Sequence, residues 1–270
     1  MRNPIITLLT DFGTRDHYVA SMKGVILGIN PRCCLVDISH QVSPHDIEEG
    51  AYILLNAYSS FPSGTIHLAV VDPGVGGPRE PILIVTGNYF FVGPDNGLFT
   101  FAIQREKAKQ VIALTNKKYF LPGLSGTFHG RDLFAPVAGH LSLGVNPQLF
   151  GRAVDTWETL SFRKPVAERG RLIGEILHID AFGNLISNID AIELSDFAGK
   201  RPFTLRVGNR KIQGLRKGYW EGKRGEAIAL IGSGGFLEIS IREGNAARVL
   251  KVNRGDGVTV ETSRRDVSTD

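Results

Sequence analysis

The stretch Leu68-Ala69-Val70-Val71-Asp72-Pro73-Gly74-Val75-Gly76-Gly77-Pro78-Arg79 decides how the chain is read. An apolar run stops at a carboxylate and enters a loop of glycines and prolines. Buried parallel strands of α/β proteins are apolar throughout, and ligands gather beyond their carboxyl ends, so Asp72 stands where chemistry is usually done. Arg79 lies near enough along the chain to fold back toward it.

The surroundings of that strand repeat its logic. Ile5 to Thr10 and Leu35 to Ile38 read as further buried strands. Between them Val19, Met22, Ile26 and Ile29 share one face of a helix, with Asp16 as its candidate cap. Asp46 followed by Glu49 is a capping box, opening a helix that carries Ile47, Leu54, Leu55 and Tyr58. Downstream, Ile82 to Thr86 and Tyr89 to Val92 flank Gly87-Asn88 as a hairpin, and Asp95-Asn96-Gly97 makes another tight turn. Val111 to Leu114 is a strand, and a helix follows near Asp132 to Leu143. This alternation predicts an α/β fold: an N-terminal α/β/α sandwich around a mostly parallel sheet.

The texture changes after about residue 160. The N-terminal α/β domain is assigned to 1–162, and the polar, broken stretch Arg163 to Gly170 is a linker, 163–170. A smaller domain, 171–270, follows. Its apolar pieces, Leu172 to Ile179, Leu185 to Ile189, Phe203 to Val207, Ala227 to Ile231, Phe236 to Ile241 and Gly257 to Glu261, are short and separated by glycine turns. Helical periodicity is weak there, so a small β-barrel or sandwich is expected. The end of the chain, Thr262 to Asp270, is polar and expected to fray.

Composition narrows the partners. The chain has 270 residues, 42% hydrophobic and 21% charged, with a formal net charge of +4. Lysines and arginines are scattered among acids apart from short clusters such as Arg105 to Lys109, so a solvated surface is expected and no nucleic-acid partner. Cys33 and Cys34 are adjacent, and strand neighbours point to opposite faces, which argues against a disulfide framework and for a reducing compartment. Met1-Arg2-Asn3-Pro4 leads straight into a strand, without a signal peptide or the ~20-residue apolar span that a membrane needs. A soluble, cytoplasmic protein is expected, with no membrane partner.

Four polar clusters carry candidate chemistry: Thr10-Asp11-Phe12-Gly13 with Asp16, the Asp72 loop, Gly126-Thr127-Phe128-His129-Gly130-Arg131-Asp132, and Asp180-Ala181-Phe182-Gly183-Asn184. The first three can converge on one edge of the sheet. Each also has a plainer reading. Asp11 suits the amides of its own turn, and Asp16 suits a helix cap better than a ligand. His129 can bond backbone, and Arg131 with Asp132 can be a surface pair. Asp72 with Arg79 can be a structural ion pair, although stability alone explains a buried pair poorly. Asn184 beside Gly183 fits a turn. His17, His40, His45, His67, His140 and His178 are read as structural, and Tyr18, Phe61, Trp157 and Trp220 as core or interface aromatics.

Together, Thr-Asp-Phe-Gly (10–13), His-Gln-Val-Ser-Pro-His-Asp-Ile-Glu-Glu-Gly-Ala (40–51), Val-Val-Asp-Pro-Gly-Val-Gly (70–76), Gly-Pro-Asp-Asn-Gly-Leu (93–98), Gly-Thr-Phe-His-Gly-Arg-Asp (126–132) and Phe-Gly-Asn (182–184) resemble one family. It is that of the S-adenosyl-L-methionine (SAM) hydrolases that form adenosine, also called SAM hydroxide adenosyltransferases, related to the fluorinase and chlorinase enzymes. The likeness covers nearly the whole chain. It implies an N-terminal α/β domain, a C-terminal β-barrel and a homotrimer whose site lies between the first domain of one subunit and the second of its neighbour. By matching motif, Asp72, Arg79 and His129 resemble the water-activating trio, and Asp11 the acid that holds the ribose hydroxyls. Asp180, Phe182 and Asn184 fall in the segment that contacts the methionine part and the base, and Ser233 in a loop near the adenine and the methionine carboxylate. SAM is then the substrate, adenosine and methionine the products, and neither metal nor cofactor is implied.

Two positions bear on the nucleophile. Halide-using relatives have a non-acid where this chain has Asp72, and the fluorinase has serine where it has Gly130, so both residues favour water. One departs from the family pattern: an Asn-Ser pair is common where this chain has Gly232-Ser233, which removes a side-chain amide from that loop. Attack at the ribose C5′ expels neutral methionine from a sulfonium, so what is required is a water held in line in a dry pocket. An arginine beside Asp72 suits it to orienting that water, which leaves His129 as the expected proton acceptor. The rival readings are a halide-using adenosyltransferase, a metal-dependent phosphohydrolase built on Asp11, Asp16, Asp72 and His129, and a non-catalytic nucleoside-binding module.

Overall fold

The computed structural model describes residues 3–161 and 163–262. Of the tail expected to fray, Thr262 is instead paired with Phe203 at the end of a strand, and 263–270 lie outside these residues. The chain divides into two compact units, Met1–Leu160 and Ser161–Asp270.

In the first unit the elements follow as β1 (Ile5–Thr10), α1 (Tyr18–Ile29), β2 (Cys34–Ser39), α2 (Ile47–Ala57), β3 (Ile66–Val70), β4 (Pro81–Val85), β5 (Phe90–Pro94), α3 (Thr100–Glu106), β6 (Gln110–Leu114), α4 (Ala135–Ser142) and β7 (Gly151–Val154). The strands make one seven-stranded sheet in the order β2-β1-β3-β5-β4-β6-β7. β2, β1, β3 and β5 pair in parallel, and β4, β6 and β7 each pair antiparallel to their neighbours. Because β6 is antiparallel to β4, which is antiparallel to β5, β6 points the same way as the parallel strands. The sheet is thus mostly parallel, as the apolar runs predict.

Its two faces are both covered. Ile6, Leu8, Ile66, Leu68 and Val70 cluster with Met22 and Ile26 of α1 and with Val137 and Ala138 of α4. On the opposite face, α2 approaches so closely that a Cβ at Gly50 would meet Val71 at 3.0 Å. Each fully buried aliphatic side chain contributes about 1.5–3 kcal/mol, so this double layer is what holds the strand ends still. The cysteines are both free, Cys33 half-buried beside the Ser142 hydroxyl (3.1 Å) and Cys34 exposed.

The helix starts differ from expectation in two details. The residue before α1 is His17, with no side-chain cap, so Asp16 does not serve as one. At α2 the Asp46 carboxylate accepts from Glu49 N (2.9 Å) as expected. The Glu49 carboxylate reaches back to Ser43 N (2.7 Å) instead of closing the box on Asp46.

The second unit carries β8 (Val166–Glu168), β9 (Arg171–Ile179), β10 (Leu185–Asp190), α5 (Ala191–Ala198), β11 (Phe203–Val207), β12 (Arg210–Gln213), β13 (Ala227–Ile231), β14 (Phe236–Ile241), α6 (Ala246–Leu250) and β15 (Gly257–Thr262). Its sheet runs β12-β11-β15-β9-β10-β14-β13, all antiparallel, with β8 paired to β9. The stretch read as a linker therefore contains a paired strand. Just beyond β12, Arg216 N donates to Ala229 O of β13 (2.7 Å), which draws the two end strands together into a nearly closed barrel. Leu205, Leu237, Ile239, Val258 and Val260 fill its interior. Two short helices join the strands; α5 has a full capping box between Asp190 and Glu193.

Among the described residues no helix is long and apolar enough to cross a membrane.

Candidate functional site

The apolar run of β3 ends at Val70, and Asp72 sits at the start of the following loop with only 4% of its side chain exposed. Arg79 folds back as the spacing suggests. Its Nε donates to Asp72 Oδ1 (3.0 Å) and its Nη2 to Oδ2, a two-pronged clasp on one carboxylate. The same Nη2 lies 2.9 Å from His129 Nδ1, so Asp72, Arg79 and His129 form one hydrogen-bonded chain. The guanidinium also rests 5.5 Å from the Phe134 ring centre.

Two local features bring His129 there. It immediately precedes a single π-helical turn, Gly130–Phe134, that runs into α4; such turns are rare and recur at functional sites. The other is Gly76, in the left-handed region at φ 75°, where a Cβ would stand 2.2 Å from Gly126 O. Only a glycine lets the Asp72 loop press directly onto the His129 loop.

The Asp11 cluster joins from β1. Thr10 Oγ1 bonds His40 Nδ1 (2.8 Å), and Gly13 N donates to His40 O (2.7 Å), so His40 clamps the strand end, consistent with a structural role. Asp11 Oδ2 accepts from His45 N (2.9 Å), and the other oxygen, Oδ1, takes no hydrogen bond from the described residues. Phe12 meets Phe128 edge-on at 6.0 Å, and Tyr18 meets Phe128 at 5.1 Å. These rings join the Asp11 loop to the His129 loop, and the three clusters of this unit converge. A Cβ at Gly130 would touch Met22, Phe128 and Phe12 at 3.2–3.3 Å, so the space beside His129 is closed by apolar groups. Asp132 is buried and accepts from Ser125 N and Arg131 Nε, which makes it a brace for its loop.

Burial, and next the Arg79 guanidinium, hold His129 below the ordinary histidine value. A guanidinium only donates, so the neutral ring accepts at Nδ1 and carries its proton on Nε2. The solvent-facing nitrogen is then a donor. Among the described residues no three His, Cys, Asp or Glu side chains are gathered to hold a metal ion, so Asp11, Asp16, Asp72 and His129 do not form a metal cluster.

The fourth cluster lies in the second unit. Asp180 Oδ1 accepts from Phe182 N and Asn184 N (both 2.9 Å), and Oδ2 accepts from Asn184 Nδ2 (2.8 Å). The carboxylate thus shapes its own loop, which pushes Phe182 outward until 78% of it is exposed. Asp180, Phe182 and Asn184 line a cavity of about 430 Å³ together with Tyr219 and Arg242. Ser233 is exposed in the turn closed by Gly235 N to Gly232 O (2.9 Å). Sequence reasoning missed Tyr219, Arg242 and the residue behind them, Glu238. Trp220, taken as a core or interface aromatic, is 68% exposed.

Comparison with known proteins gives this geometry its context. Residues 6–151 match the SAM hydroxide adenosyltransferase N-terminal domain, and residues 174–259 match the corresponding C-terminal domain. An (R)-S-adenosyl-L-methionine hydrolase of Thermus thermophilus is 37% identical over 257 residues, 93% of this chain and 96% of that protein. A fluorinase of an Actinoplanes species is 31% identical over 71% of this chain and 74% of its own length. A crystal structure of an uncharacterised conserved protein from Thermotoga maritima superposes with a TM-score of 0.89 at 36% identity, covering 94% of this chain and 99% of the other.

Proposed function

Because the chain belongs to the SAM hydroxide adenosyltransferase family, we propose that it hydrolyses SAM to adenosine and L-methionine at Asp72, Arg79 and His129. The observation that carries this reading is the hydrogen-bonded chain from the buried Asp72 carboxylate through Arg79 to His129. A water oxygen forms a bond to C5′, the C5′–S bond breaks, and sulfur leaves as the neutral thioether of methionine. The water's second proton is released. The leaving group needs no protonation, so the protein's task is to hold and orient the nucleophile, a contribution that reaches about 7–11 kcal/mol in well-aligned intramolecular reactions.

The proton placement revises the expected division of labour. With its proton on Nε2, His129 donates toward the water oxygen, and the Asp72 carboxylate, although clasped by Arg79, retains lone pairs to accept the water's hydrogens. Asp72 is therefore the acceptor and His129 the donor. Asp11, whose Oδ1 is uncommitted, is assigned to the ribose hydroxyls, and the cavity at Asp180, Phe182 and Asn184, with the exposed Ser233 turn, to the remainder of the substrate. The family likeness supports a homotrimer in which a neighbouring subunit completes each site, in a soluble cytoplasmic enzyme that needs no added cofactor.

Purified protein incubated with SAM and analysed by chromatography is expected to release adenosine and methionine in equal amounts. Turnover should persist with a chelator, and chloride should give no 5′-chloro-5′-deoxyadenosine. Binding of SAM without methionine release would overturn the reading in favour of a non-catalytic module.

A further inference from the structure

Beyond Leu68 the ladder between β3 and β5 stops; β5 goes on with β4 alone and ends at Pro94, which has no N–H to give. β3 itself ends at Val70, so the peptide that joins Val71 to Asp72 lies past the ladder. A side chain takes the ladder's place. Asn96 Nδ2 donates to Val71 O (2.9 Å), and Asn96 Oδ1 accepts from Leu98 N (3.2 Å). The two bonds agree on which amide atom is which. Val71 is fully buried, and its carbonyl takes no backbone donor among the described residues.

The turn that carries Asn96 is braced from behind. Asp95 N donates to Glu80 O (2.8 Å), Asp95 Oδ1 accepts from Glu158 N (2.9 Å), and Thr100 Oγ1 both donates to Gly97 O (2.6 Å) and accepts from Leu160 N (2.9 Å). Gly93 to Leu98 is one of the stretches that mark the family, yet it supplies no group to the Asp72–Arg79–His129 chain. Its reach is through the backbone. A peptide unit is planar, so a bond that holds Val71 O also sets where Asp72 N and Cα stand. On the far side Asp72 O accepts from Val75 N (3.2 Å), and Arg79 clasps the carboxylate. Asp72 is thus tied at three points, and Asn96 holds the one that enters from the strand.

We propose that Asn96 is a positioning residue whose side-chain amide fixes the Val71–Asp72 peptide and, through it, the place from which the Asp72 carboxylate accepts the water's hydrogens. The proposal rests on Asp72 being the acceptor in SAM hydrolysis. A displacement of about 1 Å at a reacting group can cost about a hundredfold in rate. Without the Asn96 amide the buried Val71 carbonyl loses its donor, and the peptide is left to rotate toward another.

The test follows adenosine release from SAM, with calorimetric binding of adenosine as a check that the pocket is intact. Asn96→Asp keeps the size and the acceptor for Leu98 N, but it sets an oxygen against Val71 O. It is expected to lower kcat about ten- to a hundredfold, and to leave KM and the adenosine dissociation constant within about threefold. Asn96→Ala removes the donor without adding a charge and should show the same split; it decides alone should Asn96→Asp not fold. A loss seen with Asn96→Asp and absent from Asn96→Ala is an effect of the charge and overturns the proposal. A residue that acts through Asp72 has little left to position once Asp72→Asn has removed the acceptor. Adding Asn96→Ala to that background should therefore cost less than about threefold more in single-turnover assays. Unchanged kcat, adenosine binding that weakens as much as kcat falls, or losses that multiply in the double variant overturn the proposal. Failure of the wild type to cleave SAM at all strikes the underlying reading instead, and is seen before any variant is made.

Discussion

The two polar regions of this molecule are built on opposite plans. In the first unit, Asp72 and Arg79 are packed away from solvent with His129 half-buried beside them, and the three polar groups spend their hydrogen bonds on one another. In the second, the polar groups of the Asp180 loop are satisfied internally and the outward surface is aromatic, Phe182 and Trp220 above all. The first plan fixes a few atoms to within a narrow geometry, as reaction chemistry requires. The second offers area and stacking faces, as recognition requires. Damage to the two should separate kinetically.

The largest effect is expected at Asp72. Asp72→Asn keeps the shape, removes the charge clasped by Arg79 and turns one acceptor into a donor. Turnover of SAM should fall about 10²–10⁴-fold, the range typical for loss of a positioned acid–base group, with KM little changed. A variant that retained near-wild-type kcat in a stopped assay of adenosine release would erase the contrast between the regions.

A smaller and different loss is expected in the second region. Phe182→Ala deletes a mostly exposed ring, so folding should be unaffected while SAM binding weakens. An aromatic stacking contact is worth about 1–3 kcal/mol, so KM should rise roughly five- to a hundredfold with kcat nearly constant. A fall in kcat equal to that of Asp72→Asn would mean that Phe182 shapes the reacting geometry too, and the division proposed above would blur.

The same contrast governs what could be read from the chain. The Asp72 loop was legible because an apolar run halted by an acid is a local signal. The Asp190/Glu193 capping box of α5 carries the same kind of signal as Asp46/Glu49, but it is set in a half whose short apolar runs and glycine turns read as β throughout. The meeting of Arg79 with His129 spans fifty positions, and no local pattern encodes it. It became visible only through likeness to a family. Glu238 was hidden for another reason: in Phe236-Leu237-Glu238-Ile239-Ser240-Ile241 its alternation reads as a solvent-facing position. What buries it is Tyr219, nineteen residues away, and that is a tertiary fact.

The smallest effect concerns the strand that delivers Asp72. His67, the second residue of β3, is fully buried, with Nδ1 bonded to Thr7 Oγ1 (2.8 Å) and Nε2 without a partner among the rings around it. Tyr58, Phe61, Tyr89 and Phe91 lie within 5.2–6.1 Å of its centre. Burial pushes it down to about 3, whereas in the unfolded chain it titrates near the ordinary histidine value of 6.5. Between those values the unfolded chain binds the extra proton, so stability is complete above about pH 6.5 and falls as pH drops, by about 1.4 kcal/mol per unit from this group. Urea unfolding followed from pH 7 to pH 4 should show that slope, and the double substitution His67→Phe with Thr7→Val, which removes the ring nitrogen and its hydroxyl partner together, should flatten it. An unchanged slope would place the acid sensitivity elsewhere than in the strand that leads to Asp72.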